Sequence, residues 1–248
     1  MEHSLYEQVF RLQQSHWWFA ARRNSLDSLL GGQSTGGNVL DAGCGPGSML
    51  GYLSKYGRVT GLDPYPPALE MARKRFAGPL VMGEIGSLPF ADGSFDLVGT
   101  FEVLYHKGIA DVEDAVRELA RVLAPGGRLV VVDSAYPSLA SAHDLAAHSA
   151  RRFTMEQMRE IFEKAGLNVT RSTYAYCALL PVVWVVRRLK GLLGLDRRPE
   201  AELSPAPEWL NAAMIRWFRL ETAVAGVFGL PFGLSLQIAG EKPRVNKN

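Results

Sequence analysis

The sequence predicts an α/β fold: a doubly wound, Rossmann-like sheet with a helical lid ahead of it and a helical insertion before its last strand. Three observations carry that expectation. Short apolar runs alternate with helical patterns from residue 39 to about residue 173, and a glycine cluster follows the first run. One run, Leu129-Val-Val-Val-Asp133, is almost continuously apolar, as a strand is when helices cover both faces of a parallel sheet. With 248 residues, 47% of them apolar, the chain can bury one core. We therefore expect a single domain: a lid over 1–37, a cofactor-binding core over 38–174, a substrate cap over 175–233 and a last strand over 234–241.

The elements follow in order. Val39 to Ala42 reads as a strand, the loop Gly43-Cys-Gly-Pro-Gly47 follows, and Met49, Leu50 and Leu53 begin a helix. Val59 to Asp63 is a second strand, and Pro66-Pro67 opens a helix with Leu69, Ala72 and Phe76 on one face. Residues 80–83 and Phe95 to Phe101 are strands three and four. Asp111 to Leu123 is a helix that Pro125-Gly-Gly127 stops, and Arg128 to Asp133 is strand five. Thr154 with Gln157 three residues on forms a capping box for a helix that Gly166 ends, and Val169 to Thr173 is a sixth strand. Helical stretches at about 178–194 and 208–226 precede the strand-like Leu234 to Ala239.

Composition excludes several classes. A net charge of +2 supplies no field for nucleic acid, and two distant cysteines with no leader-like start point to the cytoplasm. The longest apolar run, Ala175 to Val186, is about a dozen residues and contains Pro181, against roughly 20 for a membrane span. No His or Cys pair has zinc-ligand spacing.

The chemistry concentrates at the first loop. Gly43, Gly45 and Gly47 let a ligand approach the backbone, and Asp63, at the end of the next strand, is placed to accept hydrogen bonds from ribose hydroxyls. A dinucleotide fingerprint would have glycine where Ser48 stands, and Asp41 would repel a pyrophosphate. The same carboxylate suits a cofactor that carries an amino group and a sulfonium, so S-adenosyl-L-methionine fits better, with S-adenosyl-L-homocysteine as product. A nicotinamide-dependent reductase and a non-catalytic binding module are the alternatives.

Leu40-Asp-Ala-Gly-Cys-Gly-Pro-Gly47, Leu88-Pro-Phe-Ala-Asp-Gly-Ser-Phe-Asp-Leu-Val98 and Arg121-Val-Leu-Ala-Pro-Gly-Gly127 resemble the motifs of class I S-adenosylmethionine-dependent methyltransferases of type 11. His16-Trp-Trp-Phe-Ala-Ala-Arg-Arg23, His143-Asp144 with Arg151-Arg-Phe-Thr154, and Leu230-Pro-Phe-Gly-Leu-Ser-Leu236 are similar to a bacterial subfamily linked to cell-envelope glycan or lipid genes. The resemblance implies a seven-stranded sheet in the order 3-2-1-4-5-7-6 with the last strand antiparallel. It also places the methionyl part against Gly43, Gly45 and Gly47, the ribose on Asp63, and adenine near Glu84 and Ile85. Glu84 departs from the aspartate usual there. Pro64 and Ile85 either clamp the adenine or pack in the core, and Phe101 either faces the methionyl arm or is a core aromatic. In the lid, Trp18 and its neighbours cover the cofactor or simply pack, while Arg22 or Arg23 pairs with the cofactor carboxylate.

Methyl transfer is an in-line displacement, and an oxygen acceptor benefits from a base. His143 with Asp144, in the loop after strand five, is the first choice, and His106 after strand four is the second. The acceptor expected is a small molecule, a glycan or a lipid-linked molecule. Residues 182–198 alternate apolar and basic side chains, which fits peripheral contact with an anionic membrane, an acyl channel or ordinary helix packing.

Overall fold

The computed structural model describes residues 3–32, 34, 36–139, 148–192 and 205–244. Seven strands form one sheet in the order β3-β2-β1-β4-β5-β7-β6. They are β1 (Asn38–Ala42), β2 (Arg58–Asp63), β3 (Leu80–Met82), β4 (Phe95–Phe101), β5 (Leu123–Ser134), β6 (Asn168–Ala175) and β7 (Ser235–Glu241). β1 pairs in parallel with β2 and β4, as do β2 with β3 and β4 with β5. β7 runs antiparallel to both of its neighbours, β5 and β6. This is the order and direction that the motifs implied.

Among the described residues the helices are α1 (His3–Leu12), α2 (Trp17–Leu30), α3 (Leu50–Leu53), α4 (Pro66–Arg73), α5 (Val112–Arg121), α6 (Met155–Lys164), α7 (Leu179–Leu192) and α8 (Glu208–Phe228). Two apolar layers sandwich the sheet. One contains Leu40, Val98, Val116, Leu119, Val131 and Phe162 and lies under α5 and α6. The other joins Val39, Leu50, Leu97, Phe101 and Val130 to Leu26 and Leu29 of α2. Alternate residues of β1, β4 and β5 enter opposite layers, which is the period-two signature of a strand buried on both faces.

Local chemistry sets several boundaries as expected. Asp111 caps α5 by accepting from the Glu113 and Asp114 amides. Both halves of the Thr154–Gln157 capping box are formed, and Gly166, at φ 76°, follows the end of α6. Two expectations need correction. The helix after the glycine loop is a single turn, α3, because the loop itself continues in turns up to Met49. β5 begins at Leu123, so Pro125-Gly-Gly127 lies inside a strand rather than standing as a break before one. The cause is tertiary: the Gly126 amide donates to Lys242 O, and the Lys242 amide donates to Gly127 O, at 2.8 and 2.9 Å. The partner that holds this bulged segment in the sheet stands over a hundred positions away in sequence.

Candidate active site

The site forms where β1 and β2 end side by side. Gly43, Gly45 and Gly47 all have positive φ, 83°, 51° and 89°. At Gly43 a Cβ would stand 2.6 Å from Val103 Cγ2, so the loop tolerates no side chain there. The amides of Gly43 and Cys44 both donate to Leu62 O, at 2.8 and 2.9 Å, which ties the loop to β2.

Asp63 lies at the end of β2, buried, and organises the cradle. Its Oδ2 accepts from the Gly45 amide at 2.8 Å and its Oδ1 from the Tyr65 amide at 2.9 Å. Each oxygen keeps a lone pair for a further donor such as a hydroxyl. Burial pushes its carboxyl above the ordinary range. Met82 is the register partner of Asp63 across the β2–β3 pair, so the two side chains share one face of the sheet, and Met82 is largely exposed. The sequence reading missed Met82; the register of a three-residue strand is the only signal that finds it.

Asp41 points into the same region from β1. It is buried, and its Oδ2 has no hydrogen-bond partner among the described residues. Burial, then repulsion from Asp63, pushes its carboxyl up to about 7, while the Arg22 guanidinium pulls it back. A buried carboxylate oxygen without a donor, at the lip of a glycine cradle, fits a ligand that brings a cationic N–H group. It does not fit a phosphate.

α1 covers the cradle. Tyr6 comes within contact distance of Gly45 and its ring lies 5.0 Å from that of Tyr65. Gln13 Nε2 donates to Pro46 O and Arg75 Nη1 to Phe10 O, both pinning the C-terminal end of the cover. The sequence reading put the lid in this part of the chain without assigning Tyr6.

A second polar cluster sits on the β5 side. Glu102 follows β4 at φ 60°, a left-handed conformation that costs a non-glycine residue about 1–3 kcal/mol. Its carboxylate accepts from Ser134 Oγ at 3.1 Å and Ser235 Oγ at 3.3 Å, and stands 3.8 Å from Arg22 Nη2. Asp133 is fully buried beside it, and burial followed by repulsion from Glu102 raises its carboxyl well above the usual range. Arg22, itself buried on α2, thus stands between Asp41 on the cofactor side and Glu102 on the β5 side. Glu102 and Asp133 were not singled out from sequence, although Glu102 lies inside Phe101-Glu-Val-Leu-Tyr-His106 and Asp133 closes the apolar run of β5.

The other candidates are placed as follows. Phe101 is buried in the layer that holds Cys44 and Met49. Ile85 is buried in the opposite layer, whereas Pro64 and Glu84 are exposed at the strand ends. Trp18 stacks on Tyr176 at 4.3 Å and Trp17 on Phe218 at 5.2 Å, so Trp17 joins α2 to α8 and Trp18 joins it to the segment after β6. His106 is half-buried, accepts from the Gly108 amide at its Nδ1 and lies 5.8 Å from the His148 ring. Burial lowers its pKa to about 4, so it is neutral at pH 7. His143 and Asp144 lie outside the described residues. Among the described residues no group of His, Cys, Asp and Glu is arranged to hold a metal.

A sheet in this order, with its last strand antiparallel, a glycine cradle after β1 and an acid at the end of β2, defines the class I S-adenosylmethionine-dependent methyltransferase fold. Comparison with known proteins agrees: residues 40–131 match the family described as "Methyltransferase domain". The matched stretch runs from β1 into β5. It is 34% identical over 227 residues to an uncharacterized 37.1 kDa protein in transposon TN4556 of Streptomyces fradiae, a match covering 84% of this chain and 64% of that protein. It is 36% identical over 149 residues to a malonyl-[acyl-carrier protein] O-methyltransferase of Pseudescherichia vulneris, covering 56% and 59% of the two chains. The geranyl diphosphate C-methyltransferase of Streptomyces coelicolor A3(2) superposes with a TM-score of 0.58 at 18% identity, over 88% of this chain and 76% of that one. At that identity the likeness concerns the fold. The chain spans somewhat under two thirds of the length of both curated relatives.

Proposed function

We propose that this chain moves the methyl group of S-adenosylmethionine by in-line displacement to an oxygen of a small-molecule, glycan or lipid-linked acceptor. The observation that carries the reading is Asp41, a buried carboxylate with an unused oxygen beside a glycine cradle and a second acid, Asp63. When bound, the cofactor supplies an electrophilic methyl on a sulfonium, an already good leaving group. The chain's own contribution is then to bind, align and exclude water.

In this reading Asp41 accepts from the cofactor's amino group and Asp63 from the ribose hydroxyls, while Arg22 pairs with its carboxylate. Gly43, Gly45 and Gly47 admit the methionyl arm, with Phe101 against it. Pro64, Ile85 and Glu84 border the adenine, and Met82 adds an apolar surface beside them. α1 and Trp18 keep water from the site. His143 with Asp144 serves as base toward the acceptor. His106, neutral at pH 7, is an acceptor of hydrogen bonds, and a pKa near 4 makes it a poor base. The malonyl-carrier-protein relative is by name an O-methyltransferase, which supports oxygen as the accepting atom.

Thermal unfolding with S-adenosylmethionine, S-adenosylhomocysteine and NADH, each alone, tests the cofactor. A ligand at a hundred times its Kd adds about 2.7 kcal/mol of stability. Stabilisation by the first two only is expected, and stabilisation by NADH alone would refute the reading in favour of a reductase. Homocysteine-product release across an acceptor panel tests turnover; binding without release for any oxygen nucleophile would leave a binding module.

A further inference from the structure

We infer that the exposed face of α8 forms a docking surface for an anionic lipid bilayer. α8 is 21 residues long and has two apolar faces. One packs inward through Phe218 and Ala225, with Met214 beside them. The other carries Trp209, Trp217, Leu220, Val224, Val227 and Phe228, all exposed, with Trp209 at 74% and Phe228 at 84%. At about 100° per residue these six fall within one stripe about 100° wide, running the length of the helix. Single exposed apolar residues need no explanation, but a continuous stripe with two tryptophans more than half exposed does.

The occupant follows from the charges. Arg216 and Arg219, both exposed, border the α8 stripe on the side away from its buried face. A second copy of this chain seated on the same face would bring these cations against their own kind. Anionic headgroups neutralise them while the acyl boundary takes the stripe, and tryptophan suits that boundary because its ring is apolar and its N–H polar. No described helix is long and apolar enough to cross a membrane, so the contact is peripheral.

The surface is mechanically tied to the lid. The Trp17 amide donates to Asn211 Oδ1 at 2.8 Å, and Glu221 accepts from the amides of Tyr176 and Cys177, so the inner face of α8 holds α2 and the Trp18–Tyr176 stack. Docking through α8 therefore sets the Arg22-bearing helix next to the bilayer. A lipid-linked acceptor would then arrive from the membrane side; only this last step rests on the methyl-transfer reading.

Vesicle flotation of the purified full chain, without cofactor, tests the proposal. Vesicles of phosphatidylcholine alone are compared with vesicles containing about one third phosphatidylglycerol, where each basic residue near the surface adds about fivefold to partitioning. We expect at least about tenfold stronger partitioning into the anionic vesicles. The preference should fall at about 1 M salt, where charges are screened within about 3 Å. The double variant Trp217→Gln/Val227→Gln should lose partitioning into both vesicle types, and Arg216→Gln/Arg219→Gln only the anionic preference. Both variants should keep the wild-type melting temperature and its increase with S-adenosylmethionine, since the side chains changed lie outside the core and the cradle. No partitioning, or equal partitioning into the two vesicle types, overturns the proposal. Sedimentation that finds a dimer lost in the Trp217→Gln/Val227→Gln variant, without vesicle binding, overturns it and gives the face to a second copy. Failure of cofactor binding with vesicle binding intact would instead count against the methyl-transfer reading alone.

Discussion

Replacing Asp41 by asparagine should stabilise the cofactor-free protein and weaken its hold on S-adenosylmethionine. The carboxyl is buried, faces Asp63 and titrates at about 7 instead of 3.8. A folded-state pKa raised above the unfolded one means that the folded protein binds the extra proton between those values. Stability is then full below about pH 4 and falls as pH rises through 7. At 1.36 kcal/mol per pH unit, a rise from 3.8 to about 7 amounts to about 4 kcal/mol lost by pH 8. Asparagine has the same shape and no charge, so the variant should lack this slope and unfold up to about 4 kcal/mol later at pH 8. For a chain of this length that is roughly 8–16 °C in Tm. A cationic cofactor reverses the balance by stabilising the ionised carboxylate. Wild-type affinity should therefore rise between pH 6 and 8 (roughly the range around the shifted pKa) with proton release on binding, and the variant should show neither effect. Denaturant unfolding across pH, with titration calorimetry in buffers of different ionisation enthalpy, reads both. A wild type whose stability is flat over this range, or a variant that binds S-adenosylmethionine as well as wild type, would refute the argument.

Three further outcomes follow from local geometry. Gly43→Ala places a methyl 2.6 Å from Val103 at a φ of 83°, and should cost about 1–3 kcal/mol in denaturant unfolding while weakening cofactor binding. Thr154→Ala removes the side-chain half of the α6 capping box and should cost about 1 kcal/mol without changing cofactor affinity, since α6 lies away from the cradle. A double-mutant cycle of Trp18→Ala and Tyr176→Ala should give a coupling of about 0.5–1.5 kcal/mol for rings stacked at 4.3 Å; additive losses would mean that the stack holds nothing together.

Much of the fold is legible because its signals are local. The strand at Phe95–Phe101, the glycine loop, the capping box and the apolar face of α5 each lie within a dozen residues, and each is a matter of side-chain period or backbone freedom. The cradle was legible for the same reason: glycines at 43, 45 and 47 and an acid at the end of the next strand stand at fixed sequence spacing. What the sequence misread or left open was also physical. Pro125-Gly-Gly127 has the composition of a break, yet pairing with Lys242 keeps it in the sheet as a bulge. The tryptophans of the lid offered a cover for the cofactor or ordinary packing, and nothing in sequence could say that Trp18 stacks on Tyr176, which lies after β6.

The sequence alone determined that this chain alternates strands and helices, that a ligand approaches the backbone after β1, and that its charge differs from a pyrophosphate's. These depend on neighbours along the chain, so the residues carry them wherever they go. The tertiary structure decided which acids are in trouble. Asp41, Asp63, Glu102 and Asp133 look alike in sequence; their burial and mutual repulsion, and the one guanidinium of Arg22 reaching Glu102 from 80 positions away, exist only once β1, β2, β4 and β5 lie side by side. Desolvation is a property of what surrounds a group in space, and that is why the charge state of the site was settled by folding.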